Sequence, residues 1–184
     1  MMKLMLIIRK KIIFLIISIL IFLLCGCSKL SESSLEIYVI EQTKLNSSLN
    51  DRETVKLIKQ NGRLAFNGED INGYNWETHT ISLKNEAVPS HSTITSESGG
   101  SAIFKVDDSY AYAIVLNDAL VYVGGFMHGS KNPSIPLQPS INDIDEYSFK
   151  ITFDSKYATG ADPRDNKSFY KFLSKFGKLS SGAI

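Results

Sequence analysis

Tyr74-Asn75-Trp76-Glu77-Thr78-His79 places the only tryptophan of the chain, one of its three histidines and a carboxylate within six consecutive residues. Tyr74 and Trp76 could stack against a sugar or a peptide, while Glu77 and His79 could supply hydrogen bonds or move a proton. The same residues have a plainer use. Trp76 can anchor a core where a loop enters a strand, with its indole N–H paired, and His79 can open that strand. One His beside one Glu is too common a pair to imply catalysis. Tyr74, Trp76, Glu77 and His79 are therefore candidate binding residues, and no catalytic residue is assigned.

Other chemistries find less support. A zinc site would need His79, His91 and His128 to converge, with or without Glu77, and their spacings match no ligand pattern. Asp162, Asp165 and Asn166 lack the spacing and the later Glu of a calcium loop, so a turn and a helix cap explain them better. No G-x-S-x-G elbow occurs, since Gly100-Ser101 and Gly129-Ser130 lack the second flanking glycine. No glycine-rich loop leads into Lys-Ser or Lys-Thr, and Gly124-Gly125 suits a bulge or close packing instead of a phosphate cradle. Neither a metal nor a cofactor is expected.

Charge narrows the partners. The chain has 20 Lys+Arg and 19 Asp+Glu, but Lys3, Arg9, Lys10 and Lys11 precede residue 27 and no acid does. The remainder carries 16 bases against 19 acids, a formal charge of about −3. Phosphate neutralisation needs clustered bases, so nucleic acid is set aside.

Residues 1–26 have a basic start, an apolar middle and a small-residue end, the three parts of a secretory signal. The middle, Ile12 to Leu24, is 13 residues long, against the roughly 20 that a spanning helix needs. Extending it upstream would bring Arg9, Lys10 and Lys11 into hydrocarbon at about 2.5–3.5 kcal/mol each near the centre. The basic cluster on the N-terminal side directs the rest of the chain out of the cytoplasm. Leu24-Cys25-Gly26-Cys27 resembles a bacterial lipobox. The resemblance implies that Cys27 receives diacylglycerol, that cleavage before it makes it the new N-terminus, and that Cys25 leaves with the signal. Cys25 itself departs mildly from the usual Ala, Ser or Val. The added acyl chains, palmitate among them, would meet the two-signal requirement for stable anchoring. An uncleaved signal anchor and an ordinary secretory signal are the alternatives. With Cys27 acylated, the 35–184 domain has no cysteine for a disulfide, a thiolate metal site or a nucleophile.

Residues 27–34 read as the lipidated N-terminus and a flexible tether. Residues 35–184 are enough for a single exported domain. Leu35–Ile40 and His79–Lys84 alternate as strands. Asn61-Gly62 predicts a hairpin between Thr54–Gln60 and Arg63–Phe66. Gly68–Ile71 suits one helical turn, Pro89–Gly100 a surface loop, and Ala102–Val106 a strand. Tyr110–Leu116 leads through Asn117-Asp118-Ala119 into Leu120–Phe126, a buried hairpin at the centre of the sheet. His128–Asp143 should be irregular, whereas Tyr147–Phe153 alternates in strict register. Phe169, Phe172, Leu173, Phe176 and Leu179 line one face of a helix over 166–179, started by Asp165 or Asn166. The sum is an α+β domain, a mostly antiparallel sheet packed by a C-terminal amphipathic helix.

EDINGYNWETHTISL, followed by AIVLNDALVYVGGF, resembles an uncharacterised family of short Gram-positive bacterial lipoproteins with a "DI..Y.W..H.I.L" stretch before a strand pair. The match covers roughly residues 35–141 and implies no activity. The order of "GEDI" and "AIVLN-DALVY" is also similar to the exported head region of SecD, a subunit of the protein-export machinery; that implies an α+β head built for protein contact. The expected function is a lipid-anchored, non-enzymatic binding module of the cell envelope, on the extracytoplasmic face of the membrane. Its partner would be a protein, a peptide or a glycan. The alternatives are an extracytoplasmic hydrolase using Glu77 and His79, and an immunity-type protective lipoprotein.

Overall fold

Leu-Glu-Ile-Tyr-Val-Ile-Glu is too apolar for a strand with one wet face, and strand β1 (Leu35–Glu41) is covered on both. Leu35, Ile37 and Val39 enter one apolar cluster, Tyr38 and Ile40 a second on the opposite face. The computed structural model of the chain describes residues 34–45, 48–88, 100–101, 103–107, 109–126, 139–156 and 160–180. The chain divides into two units, residues 1–32 and 33–184, and every described residue belongs to the second. The signal segment, Cys27, His91, His128 and the Pro89–Gly99 part of the expected surface loop lie outside the described residues.

After β1 come helix α1 (Asp51–Asn61) and strands β2 (Arg63–Asn67), β3 (Ile71–Asn75) and β4 (Thr80–Leu83). Two short strands, β5 (Gly100–Ser101) and β6 (Val106–Asp107), pair only with each other. β7 (Tyr110–Leu116), β8 (Ala119–Phe126), β9 (Ser140–Asp143), β10 (Ser148–Thr152), helix α2 (Lys167–Lys175) and β11 (Leu179–Ser180) complete the series. The fold is mixed α+β, dominated by a curled sheet in the order β11-β3-β4-β10-β9-β8-β7-β1-β2. Only β11/β3 and β8/β9 are parallel neighbours; the other pairs of this sheet are antiparallel.

The β7–β8 hairpin forms as its sequence predicts. Asn117 and Asp118 both take positive φ, 51° and 61°, which the tight turn between right-twisted strands requires. Gly124 answers to close packing. A Cβ there would stand 2.0 Å from the Pro139 carbonyl and 2.5 Å from the Tyr112 ring, so the ring lies flush against the backbone.

Four expectations are corrected. Residues 140–143, expected to be irregular, form β9 between β8 and β10. Residues 54–60 are helical and not half of a hairpin. Asn50 Oδ1 accepts from Glu53 N at 3.0 Å while Glu53 Oε2 accepts from Asn50 N, a capping box that starts α1. Val55 and Ile58, three apart, then bury one helix face against Tyr38 and Ile40. Gly62 ends α1 with φ −89°, so the Asn-Gly pair makes no left-handed turn. Residues 103–105 turn between β5 and β6 instead of continuing a strand. Finally, α2 stops at Lys175: Gly177 takes φ +64°, and Leu179 joins β3 as a strand residue. Asn166 is the cap at the start of α2, accepting from Ser168 N and Phe169 N at 3.0 Å each. Phe169, Phe172 and Leu173 are buried in the cluster that holds Ile71, Ile81 and Phe149.

Candidate functional site

The β3–β4 connection carries the Tyr74–His79 group. Asn75, almost fully buried, accepts on Oδ1 from the backbone N–H groups of Glu77 and Thr78 at 3.0 Å each, which shapes the turn. His79 closes it at φ 53°, a left-handed conformation that costs a non-glycine residue. The strain is held by pairing on both sides. The His79 carbonyl accepts from Ile151 N at 2.9 Å, and the next residue begins β4.

Tyr74 points inward and is fully buried. Its hydroxyl lies 2.9 Å from His79 Nδ1, and its ring stands edge-on to Phe169 at 5.4 Å. Trp76 is half-buried, with its ring centroid 5.6 Å from Tyr74, 5.8 Å from His79 and 4.8 Å from Tyr170. Burial raises the Tyr74 phenol pKa strongly. Burial also lowers the His79 imidazole, and the Arg164 guanidinium pushes it in the same direction. Arg164 is fixed in turn: Nε donates to Asp162 Oδ1 and Oδ2 at 2.9 Å, and Nη1 donates to the Ile151 carbonyl at 2.9 Å. Burial opposes that charge, and the Asp162 carboxylate more than restores it.

Glu77 stands apart. Its side chain is exposed on the turn, and the charges acting on His79 are Arg164, Asp162, Asp165 and Lys150. The structure thus joins Tyr74, Trp76 and His79 in one aromatic group and leaves Glu77 outside it. Among the described residues no three His, Cys, Asp or Glu side chains could hold a metal ion. None of their helices is long and apolar enough to cross a membrane.

The opposite face of the same strands offers a cleft. Asn75, Thr80, Ser82, Ser148, Ser180, Asp145, Glu146 and Tyr147 line an open hollow of about 400 Å³. Strand alternation puts these groups together. Ile81, Leu83 and Phe149 turn inward, so Thr80, Ser82 and Ser148 turn outward, with Ser82 opposite Ser148 in the ladder. The β9–β10 loop forms a fixed lip. Asp145 Oδ1 accepts from Tyr147 N at 2.8 Å, and the Tyr147 carbonyl accepts from Leu83 N at 2.8 Å. The Ser148 hydroxyl and the Tyr147 N–H hold the Asp145 carboxyl below the usual carboxylate range, and the nearby Glu146 charge raises the Tyr147 phenol.

Sequence reading missed the cleft. Alternation in Thr80–Leu83 and Tyr147–Phe153 marks the outward residues, but nothing local says that β4 lies beside β10. Asn75 and Thr80 flank the Trp76–His79 turn, so the two features share one piece of chain. No protein-family model, curated protein or solved structure matches the chain.

Proposed function

We propose that the chain is a non-enzymatic binding module, held by Cys27 at the extracytoplasmic face of a bacterial membrane, that takes a neutral, hydroxyl-rich ligand such as an envelope glycan. The signal pattern, the lipobox and the lipoprotein resemblance support the anchor. The composition of the cleft carries the ligand. Three serines, a threonine, an asparagine, two carboxylates and a tyrosine ring offer both donors and acceptors, and no Lys or Arg lines it. Such a lining favours sugar hydroxyls over anionic groups, and 400 Å³ lies within the range of small-ligand sites. Tyr74, His79 and the half-buried Trp76 support the turn from beneath, with exposed Glu77 and the outer part of Trp76 as further contacts. The same proposal holds that the C-terminal amphipathic helix packs the inner face of the sheet, which the burial of Phe169, Phe172 and Leu173 supports.

The test is titration of the full chain with a neutral oligosaccharide such as chitotetraose, followed by calorimetry. Saturable binding should be lost in Tyr147→Ala and in Ser82→Val. Binding by neither the parent chain nor its variants, or binding that ignores both substitutions, would reject the cleft. The anchor is read separately: Cys27→Ala should stop metabolic labelling with a fatty acid, and persistent labelling would reject it.

A further inference from the structure

Helix α2 is basic on its outer side. Lys167, Lys171 and Lys175 recur every fourth residue and form one exposed ridge, and among the described residues no carboxylate pairs with them. The helix contains no acidic residue; Asp165, two residues before it, is the nearest acid in sequence. At its end the Phe176 ring is 44% exposed. It stacks at 4.5 Å on Phe172, and Lys175 Nζ lies 5.6 Å from its centre. A large aromatic side chain left in water beside unpaired ammonium groups suits an anionic lipid surface, where the ring enters the headgroup layer and the lysines meet phosphates.

The position of this patch in the fold points the same way. The chain enters the domain at Ser34 and Leu35, where Ser34 and Asn117 exchange two hydrogen bonds of 2.9 Å. Gly68 bridges that point to α2: its N–H donates to the Leu35 carbonyl, and a Cβ on it would stand 3.4 Å from the Leu35 Cβ and 3.6 Å from the Phe172 ring. The tethered end of the domain therefore lies beside Phe172, on which the exposed Phe176 ring stacks. A tether over residues 28–34 spans at most about 25 Å when extended, so it brings this end of the domain within reach of the bilayer.

We infer that the Lys167–Lys171–Lys175 ridge and Phe176 form a docking surface for anionic lipid, which fixes how the domain stands on the membrane. The inference rests on the anchored reading only for bringing the domain near a bilayer, and it leaves the cleft, lined by other residues, free.

Hydrogen exchange of the full chain on vesicles tests it, comparing phosphatidylglycerol with phosphatidylcholine. Amides of residues 168–177 should exchange at least threefold more slowly on phosphatidylglycerol. The difference should vanish in the Lys171→Glu/Lys175→Glu double variant and shrink in Phe176→Ser, while exchange in β7 stays unchanged in all of them. Equal exchange on the two lipids, or protection that survives the double variant, would overturn the docking surface. A chain that leaves phosphatidylcholine vesicles yet stays on phosphatidylglycerol through Lys171 and Lys175 would support docking and reject the anchor. A chain that leaves both would reject docking and anchor together.

Discussion

The two halves of the sheet solve burial differently. In β7 every residue from Ala111 to Leu116 is buried, with Tyr112, Ile114 and Leu116 facing one cluster and Ala111, Ala113 and Val115 the other. Helix α1 makes that possible, because Val55 and Ile58 cover the outer face of β1 and β7. In β4 and β10 the inward residues Ile81, Leu83, Phe149 and Ile151 are buried, whereas Thr80, Ser82, Ser148 and Thr152 remain half-exposed and Lys150 exposed. The same strand geometry therefore yields a doubly covered scaffold at one end and a surface with polar groups at fixed spacing at the other. The first half is sealed on both faces, and the second presents the polar face on which the proposed ligand reading rests.

Substitutions should obey that division. Ile58→Ala opens the second cluster and should cost about 2–5 kcal/mol in urea unfolding, the largest effect of this set. A loss below about 1 kcal/mol would mean that α1 is a loose cover. Asn50→Ala removes the cap of the same helix and should cost about 0.5–2 kcal/mol, with lower helical signal in circular dichroism.

In the singly covered half, Tyr74→Phe deletes the hydroxyl beside His79 and should cost about 0.5–1.5 kcal/mol. His79 adds a pH dependence whose sign is set by its lowered folded pKa. The unfolded imidazole binds its proton more readily, so stability is full above the unfolded pKa of about 6.5. It falls as pH drops toward the folded value and levels once the folded ring is protonated too. His79→Asn, which tolerates the left-handed backbone, should flatten that part of the curve when urea midpoints at pH 7.5 and 5.5 are compared. An unchanged slope would show that the ring titrates freely. The smallest effect belongs to Ser82→Ala on the outer face, within about 0.5 kcal/mol. A larger loss there would mean that this face is structurally committed like that of β7.

The sequence showed this contrast in part. An uninterrupted Ala-Tyr-Ala-Ile-Val-Leu run belongs to a strand buried on both sides, and strict alternation over Tyr147–Phe153 belongs to one buried on a single side. The turn at Asn117-Asp118 and the cap at Asn166 were equally legible, because both are local chemistry. Helix α1 was not, since Asn61-Gly62 is a strong hairpin signal and Val55 and Ile58 make a thin apolar stripe. The Asn50…Glu53 pair was the better guide. The aromatic group was visible as residue types, but Arg164 joins it from almost ninety residues away. The cleft depends on which strands are neighbours, and no local pattern encodes that.

Strand β11 has a consequence in time. Leu179 and Ser180 pair with Tyr74 and Asn75, and Lys178 Nζ donates to the Ile71 carbonyl across 107 residues. These partners lie about a hundred residues beyond β3 in the chain, so β3 keeps a bare edge until residues 178–180 arrive. Until then the hollow beside Asn75 lacks its Ser180 wall, and the chain is a half-closed ribbon that other strands can still join.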